Sequence, residues 1–276
     1  MAKYASTLLG IDSLRLNDYT QAARFLKAMV LRELRMRYAG SVMGILWAVI
    51  HPLIMITVFS FVFALVLRIR LNLQVHGTTN FTLWMVAGLL PWFAFSEAVT
   101  SGCFSLCSNA HLIKRIRIHA ELIPLTYVIS VFIHHTVAFT ILAVISAIKG
   151  YLYPTLLFVP LFMGILFLIA LGIALITAAL HVFIRDVGQL LGALLHVWFY
   201  ATPIIYPIDF IPIAFLRKLM SLNPIYWVIK GYRQCLFGQG MLPITPFFLL
   251  LIFSFGLAIC GELFFKKLKP AFADVL

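Results

Sequence analysis

Residues 155–187 read TLLFVPLFMGILFLIALGIALITAALHVFIRDV, and no Asp, Glu, Lys or Arg appears before Arg185 and Asp186. A helix crosses the hydrocarbon core of a bilayer with about 20 apolar residues, so Thr155–Phe183 is long enough to span. After the short polar break at Arg185 and Asp186, a second apolar run follows at once, Val187–Tyr206. Outward from this pair the pattern repeats, with Val42–Leu67, Phe81–Cys103 and Leu122–Ile148 upstream and Ile244–Phe265 downstream. The expectation is an all-α polytopic membrane protein with six transmembrane helices in one domain over residues 1–276.

Composition agrees. The chain is 63% hydrophobic and 11% charged, whereas a soluble domain carries about 25% charged residues to solvate its surface. A net charge of +12 could suggest a nucleic-acid partner, but the cations sit in short intervals between apolar runs, which excludes that class. Six spans put both ends of the chain on one side. With the ends inside, the inside segments hold 14 of the 21 lysines and arginines, and the positive-inside rule makes that side cytoplasmic. Residues 1–18 lack a charged start followed by an apolar core, so no cleavable signal peptide is expected.

Two stretches read differently. On a helix at 100° per residue, Arg24, Lys27, Arg32 and Arg35 fall within an arc of roughly 140°, with Phe25, Leu26, Met29 and Val30 opposite. Tyr19–Tyr38 is therefore expected as a basic amphipathic helix at the cytoplasmic headgroups, serving as lipid anchor, as substrate contact, or as both. Pro207–Pro243 is too apolar for a solvated loop, and prolines at 203, 207, 212 and 224 cut it into pieces too short to cross. Irregular backbone at membrane depth survives only where protein or water satisfies it, so short helices dipping into the outer leaflet are expected.

Chemistry is sparse. No G-x-x-x-x-G-K-[ST] occurs, so the chain has no phosphate-cradling loop for ATP, and G-x-S-x-G and H-E-x-x-H are absent too. No catalytic residue, bound cofactor or metal site is expected. His134 and His135 are adjacent and point about 100° apart on a helix, which suits interior polar groups better than ligands. Cys103, Cys107, Cys235 and Cys260 lack paired metal spacing and read as small apolar filler. Glu97 is the one acid well inside a predicted span, and ionisable groups there are functional candidates. Glu262 lies a turn from Lys266 and is expected to pair with it. Asn109–Glu121, NAHLIKRIRIHAE, mixes basic residues with Leu112, Ile113, Ile116 and Ile118, which are anchors that a partner protein could cover.

These residues carry a resemblance. Arg37–Trp47 (RYAGSVMGILW) with His51, Pro52 and Leu53 comes first, then Gly88–Phe93 and Phe95–Glu97, then Asn109–Arg115 (NAHLIKR). Arg185–Val187 (RDV), Thr202–Pro207 (TPIIYP), Asn223–Pro224 and Tyr232–Arg233 follow in order. Together they resemble the permease subunits of ABC transporters that export cell-surface polysaccharides, above all those for O-antigen-type lipopolysaccharide chains. The resemblance implies a homodimer in the bacterial inner membrane, docked on two separate ATP-binding subunits that hold the ATP and Mg. It implies that Asn109, Leu112, Ile113, Lys114 and Arg115 belong to the ATPase-coupling helix. It implies that lipid-linked substrate comes in beside Tyr19–Tyr38, where Arg32, Arg35 and Arg37 would meet a pyrophosphate. Channel walls would come from the first and fifth spans, with Trp47 and His51 on one and Trp198 and Tyr200 on the other. Trp47, His51, Met55 and Phe59 recur every four residues, giving one slowly drifting face. Aromatic planes meet the C–H faces of sugars, so such a corridor holds a glycan loosely enough to slide.

The expected function is export of an undecaprenyl-pyrophosphate-linked polysaccharide driven by ATP hydrolysed on partner subunits. The alternatives are an ABC permease for a drug or another lipid, and an integral membrane glycan-modifying enzyme. The latter needs a His–carboxylate pair that the scarcity of acids disfavours.

Overall fold

The computed structural model describes residues 2–37, 39–68, 71, 76–115, 120–239 and 243–275, and they are helical with no β-strand among them. In chain order the α-helices are α1 (Ala2–Arg37), α2 (Trp47–Phe59), α3 (Phe81–Ser108), α4 (Ala110–Arg115), α5 (Leu122–Ile148) and α6 (Val159–Phe183). They continue with α7 (Val187–Ala201), α8 (Ala214–Ser221), α9 (Pro224–Leu236), α10 (Ile244–Leu268) and α11 (Phe272–Val275).

The bundle is organised on α3, which packs against α5 and α6, while α6 packs in turn against α10. Small residues make this possible. Ala94, Ala98 and Gly102 lie four apart on α3, and Ala170, Ala174 and Ala178 do the same on α6; all are buried. A Cβ on Gly102 would stand 2.6 Å from the Ala174 Cβ, and one on Gly261 of α10 would stand 2.5 Å from the Gly172 carbonyl oxygen of α6. Lipid offers helices no hydrophobic drive toward each other, so close backbone approach across small residues supplies the packing. α10 turns the rest of its surface outward, with Leu249, Ile252, Phe255 and Leu263 all exposed. A contiguous apolar face of that kind is untenable in water and suits hydrocarbon.

Local sequence sets the boundaries. Asn80 caps α3, its Oδ1 accepting from the Leu83 N–H at 3.2 Å. Asn223 does the same for α9, which has Pro224 in its first turn where the missing N–H costs nothing. The prolines thus break the outer stretch into the short 3₁₀ turn Ile208–Phe210, α8 and α9, as expected.

Of the six expected spans, four are long apolar helices: α3, α5, α10 and Pro154–Phe183, the last entering α6 through a 3₁₀ turn. Two differ. Val42–Leu67 is a 3₁₀ turn over Gly44–Leu46, then α2, then a π-helical segment Ser60–Val66, with Gly44 at φ 53° preventing an earlier start. Val187–Tyr206 is helical only to Ala201. Thr202 precedes Pro203, which forces it out of the helical region, and it adopts φ −108° and ψ 132°. The amphipathic helix expected from Tyr19 begins at Ala2, because nothing in residues 2–18 interrupts a helix. α3 runs five residues past Cys103, to Ser108.

Candidate functional site

At one end of the bundle, α1 lies along α5 with Met29 and Val30 buried, and Arg24, Lys27 and Arg35 exposed, as the arc requires. Arg32 is half-buried and its Nη2 donates to Asn109 Oδ1 at 2.7 Å. Asn109 Nδ2 spends its two N–H groups on the Ser105 carbonyl (2.9 Å) and the Tyr127 hydroxyl (3.0 Å). One amide therefore joins α1, the end of α3, α5 and the start of α4. Leu112 on α4 is half-buried. Ile113, Lys114 and Arg115 complete that helix, while Ile116 and Ile118 lie outside the described residues. Lys269 Nζ donates to Glu121 Oε2 at 2.9 Å, closing this segment against the chain after α10. The expected Glu262–Lys266 pair is present at 2.5 Å.

Above this layer, Arg37 Nη2 meets Glu97 Oε1 at 2.6 Å. The pair stands at a cavity of 830 Å³ between α2, α3 and α5. Trp47, His51 and Met55 line it from α2, Phe93 and Ala94 from α3, and Val131, His134 and Ala138 from α5. The structure thus brings Trp47, His51 and Arg37 to one cavity. Trp198 and Tyr200 stand elsewhere. The Trp198 indole packs edge-on against Phe95, centroids 5.3 Å apart, and lies 6.3 Å from Trp92. Tyr200 is exposed beside His196, with its carbonyl accepting from the Tyr206 hydroxyl at 2.7 Å. Within one chain, α3 stands between the two aromatic groups.

The other end of the bundle holds a site built on Arg233, which the sequence offered only as part of the Tyr232–Arg233 pair. Arg233 of α9 is buried and forms no ion pair with a carboxylate among the described residues. Its Nε donates to the Trp84 carbonyl (3.1 Å), Nη1 to Pro203 (3.1 Å) and Nη2 to Ile204 (2.6 Å). The guanidinium lies flat on the Trp84 ring, 3.4 Å from its centroid, a cation–π stack of the kind that planar cations favour when desolvated. Gly88 makes room, since a Cβ there would overlap Arg233 Nη2. The TPIIYP backbone left unpaired by the end of α7 is satisfied in this way. Gly88, Pro203 and Arg233 all occur in the motifs read from sequence; what the sequence did not signal is that the three meet at one point.

Beside Arg233 a smaller cavity of 230 Å³ is lined by His76, Asp209, Tyr226 and Lys230. Asp209 Oδ2 stands 4.0 Å from His76 Nε2. Burial holds His76 below the usual imidazole range, with Asp209 opposing and Arg233 reinforcing that shift. Of the adjacent histidines, His134 is half-buried and His135 is buried, its Nε2 bonding the Tyr232 hydroxyl at 2.9 Å and tying α5 to α9.

Comparison with known proteins gives this arrangement a lineage. The chain is 31% identical over 248 residues to the O-antigen export system permease protein RfbA of Klebsiella pneumoniae, covering 89% of this chain and 92% of that one. It is 30% identical over 250 residues to the RfbA permease of Myxococcus xanthus, covering 90% and 93%. The polysialic acid transport protein KpsM of Escherichia coli is more distant, at 23% over 221 residues, 75% of this chain and 79% of that one. The profile of the ABC-2 type transporter family matches residues 24–237, from the basic arc of α1 through the Arg233 knot to the end of α9. With the profile spanning most of the helical bundle and relatives aligned nearly end to end, the chain belongs to the ABC-2 type transporter family.

Proposed function

We propose that this chain is the membrane subunit of an ATP-driven exporter for an undecaprenyl-pyrophosphate-linked polysaccharide of the O-antigen type. It works as a homodimer in the bacterial inner membrane, docked on two ATP-binding subunits that carry the nucleotide chemistry. The observation that carries this reading is the near end-to-end likeness to permeases named for O-antigen export. Both ends of the chain are cytoplasmic and the six apolar segments cross, α2 and α7 with help from the irregular backbone that continues them. α8 and α9 dip into the outer leaflet.

The residue roles follow. Asn109, Leu112, Ile113, Lys114 and Arg115 dock the ATPase, and the Asn109–Arg32 bond supports a mechanical link from that dock to α1. Arg32, Arg35 and Arg37 receive the pyrophosphate at the inner leaflet. Trp47 and His51 of α2 and Trp198 and Tyr200 of α7, from two copies, line the corridor for the glycan.

The test is complementation in cells that synthesise the lipid-linked polymer but lack their own permease. Expressed with the ATP-binding subunit of the same operon, the chain restores polymer at the surface. The double variant Leu112→Asp, Ile113→Asp puts two carboxylates into the docking groove, where unpaired charge costs several kcal/mol. It inserts normally, loses co-purification of the ATPase and displays no polymer. Absence of export by the native pair, or normal co-purification with normal display in the double variant, overturns the reading.

A further inference from the structure

The inner cavity has an amphipathic lining. Trp47, Met55, Leu90, Phe93, Val131 and Ala138 make its apolar walls, and its titratable lining is His51, His134 and His135 with Arg37 and Glu97, which form an ion pair. At 830 Å³ it is in the range that admits a drug-sized molecule. Walls of that kind with one guanidinium fit a hydrocarbon chain that ends in an anion.

The guanidinium, however, is already engaged. Glu97 sits inside a membrane helix where an unpaired carboxylate is costly, and Arg37 from α1 neutralises it at 2.6 Å. The two partners differ in exposure: the Arg37 side chain is 25% exposed and that of Glu97 47%. Both residues reach the surface, and the acid does so with more of its side chain than the base. A half-exposed pair binds its members weakly, and a guanidinium bonds phosphate through two parallel N–H groups at least as well as carboxylate.

We propose that Glu97 is an internal stand-in for the headgroup of an isoprenoid pyrophosphate: the lipid lays its chain in this cavity and its pyrophosphate displaces Glu97 from Arg37. This deepens the reading above, since it rests on Arg37 receiving the anion, and it adds a competitor built into the chain. The exchange frees α3 from α1 at this point while Arg32 keeps α1 bonded to Asn109 at the head of α4. Loading of the lipid is thereby felt by the segment assigned to the ATPase, and an empty site holds α1 clamped to α3.

The experiment uses the purified full-length chain in zwitterionic lipid nanodiscs, with farnesyl pyrophosphate as probe and farnesol and inorganic pyrophosphate as controls. Glu97→Gln tightens farnesyl pyrophosphate binding by about fivefold, the factor that one displaced half-exposed ion pair supplies. Arg37→Gln removes most of the binding, and in that background Glu97→Gln adds nothing, because there is no longer a guanidinium to compete for. Arg37→Lys keeps the cation, retains binding, and still responds to Glu97→Gln, which guards against an Arg37→Gln chain that folds poorly. Filling the apolar wall with Ala138→Phe weakens farnesyl pyrophosphate but leaves inorganic pyrophosphate unchanged, separating the chain from the headgroup. An unchanged or weaker affinity in Glu97→Gln overturns the proposal. So does an equal gain with and without Arg37, which would mean general repulsion by the carboxylate rather than competition. If the cycle holds but no polymer is exported in the complementation assay, the exchange stands and the polysaccharide reading falls.

Discussion

Two arginines at opposite ends of the molecule solve the same problem in different ways. Arg37 sits at the 830 Å³ cavity, partly exposed, against a carboxylate. Arg233 sits at the far end, buried, against three backbone carbonyls and the face of Trp84. A carboxylate partner can be exchanged for another anion by rotation of one side chain. Backbone carbonyls cannot leave, because they belong to α3 and to the turn that ends α7. The pairing of Arg37 is therefore the exchangeable one, while Arg233 is a structural rivet holding α9, α3 and the TPIIYP turn together.

The sharpest way to break this contrast is to remove the rivet. Arg233→Gln leaves at least one of the three carbonyls without a donor, at about 1–3 kcal/mol for each, and losing the desolvated cation–π stack on Trp84 adds about 2 kcal/mol. The expected outcome is a large drop in the thermal midpoint in detergent and poor recovery of folded protein. A midpoint near that of the native chain would show that Arg233 is as replaceable as Arg37.

A smaller effect is expected at Gly88, where Ala adds only a methyl but drives it into Arg233 Nη2. Overpacking of this kind costs about 1–3 kcal/mol. Because the methyl acts through the guanidinium, Gly88→Ala should destabilise the native chain and have much less effect in an Arg233→Gln background. Additive losses in that double variant would place the damage elsewhere.

The smallest effect on stability belongs to Arg37→Gln. Double-mutant cycles on exposed pairs give up to about 1 kcal/mol, so the melting midpoint should move little even as lipid pyrophosphate binding is lost. A fall comparable to that of Arg233→Gln would make both arginines structural and erase the distinction.

The sequence made the apolar runs, the basic arc and the broken outer stretch readable, because each depends on residues near one another in the chain. Leu122–Ile148 is a helix with the boundaries that its hydropathy suggested. The end of α7 was legible at Thr202–Pro203, but the apolar Ile204 and Ile205 that follow carry the hydropathy onward and hide it. Glu97 and Arg37 were both singled out, yet their pairing depends on how α1 meets α3, which no local pattern encodes. Arg233 was least legible. Its contact with the Trp84 carbonyl spans 149 residues of sequence, and a cation in a stretch outside the spans is solvated unless the fold closes over it.

The early end of α7 has a consequence for the surrounding bilayer. Its 15 residues reach about 22 Å, against a hydrocarbon thickness of about 30 Å. The Thr202–Pro207 turn that continues it has its polar backbone turned toward Arg233 at Pro203 and Ile204, so it does not present a regular helical wall to acyl chains. Lipid bordering α7 would have to thin to match the shorter wall, a hydrophobic mismatch that costs a fraction of a kcal/mol per Å, whereas a protein surface laid against it would not. By itself α7 is thus about 8 Å short of the hydrocarbon thickness.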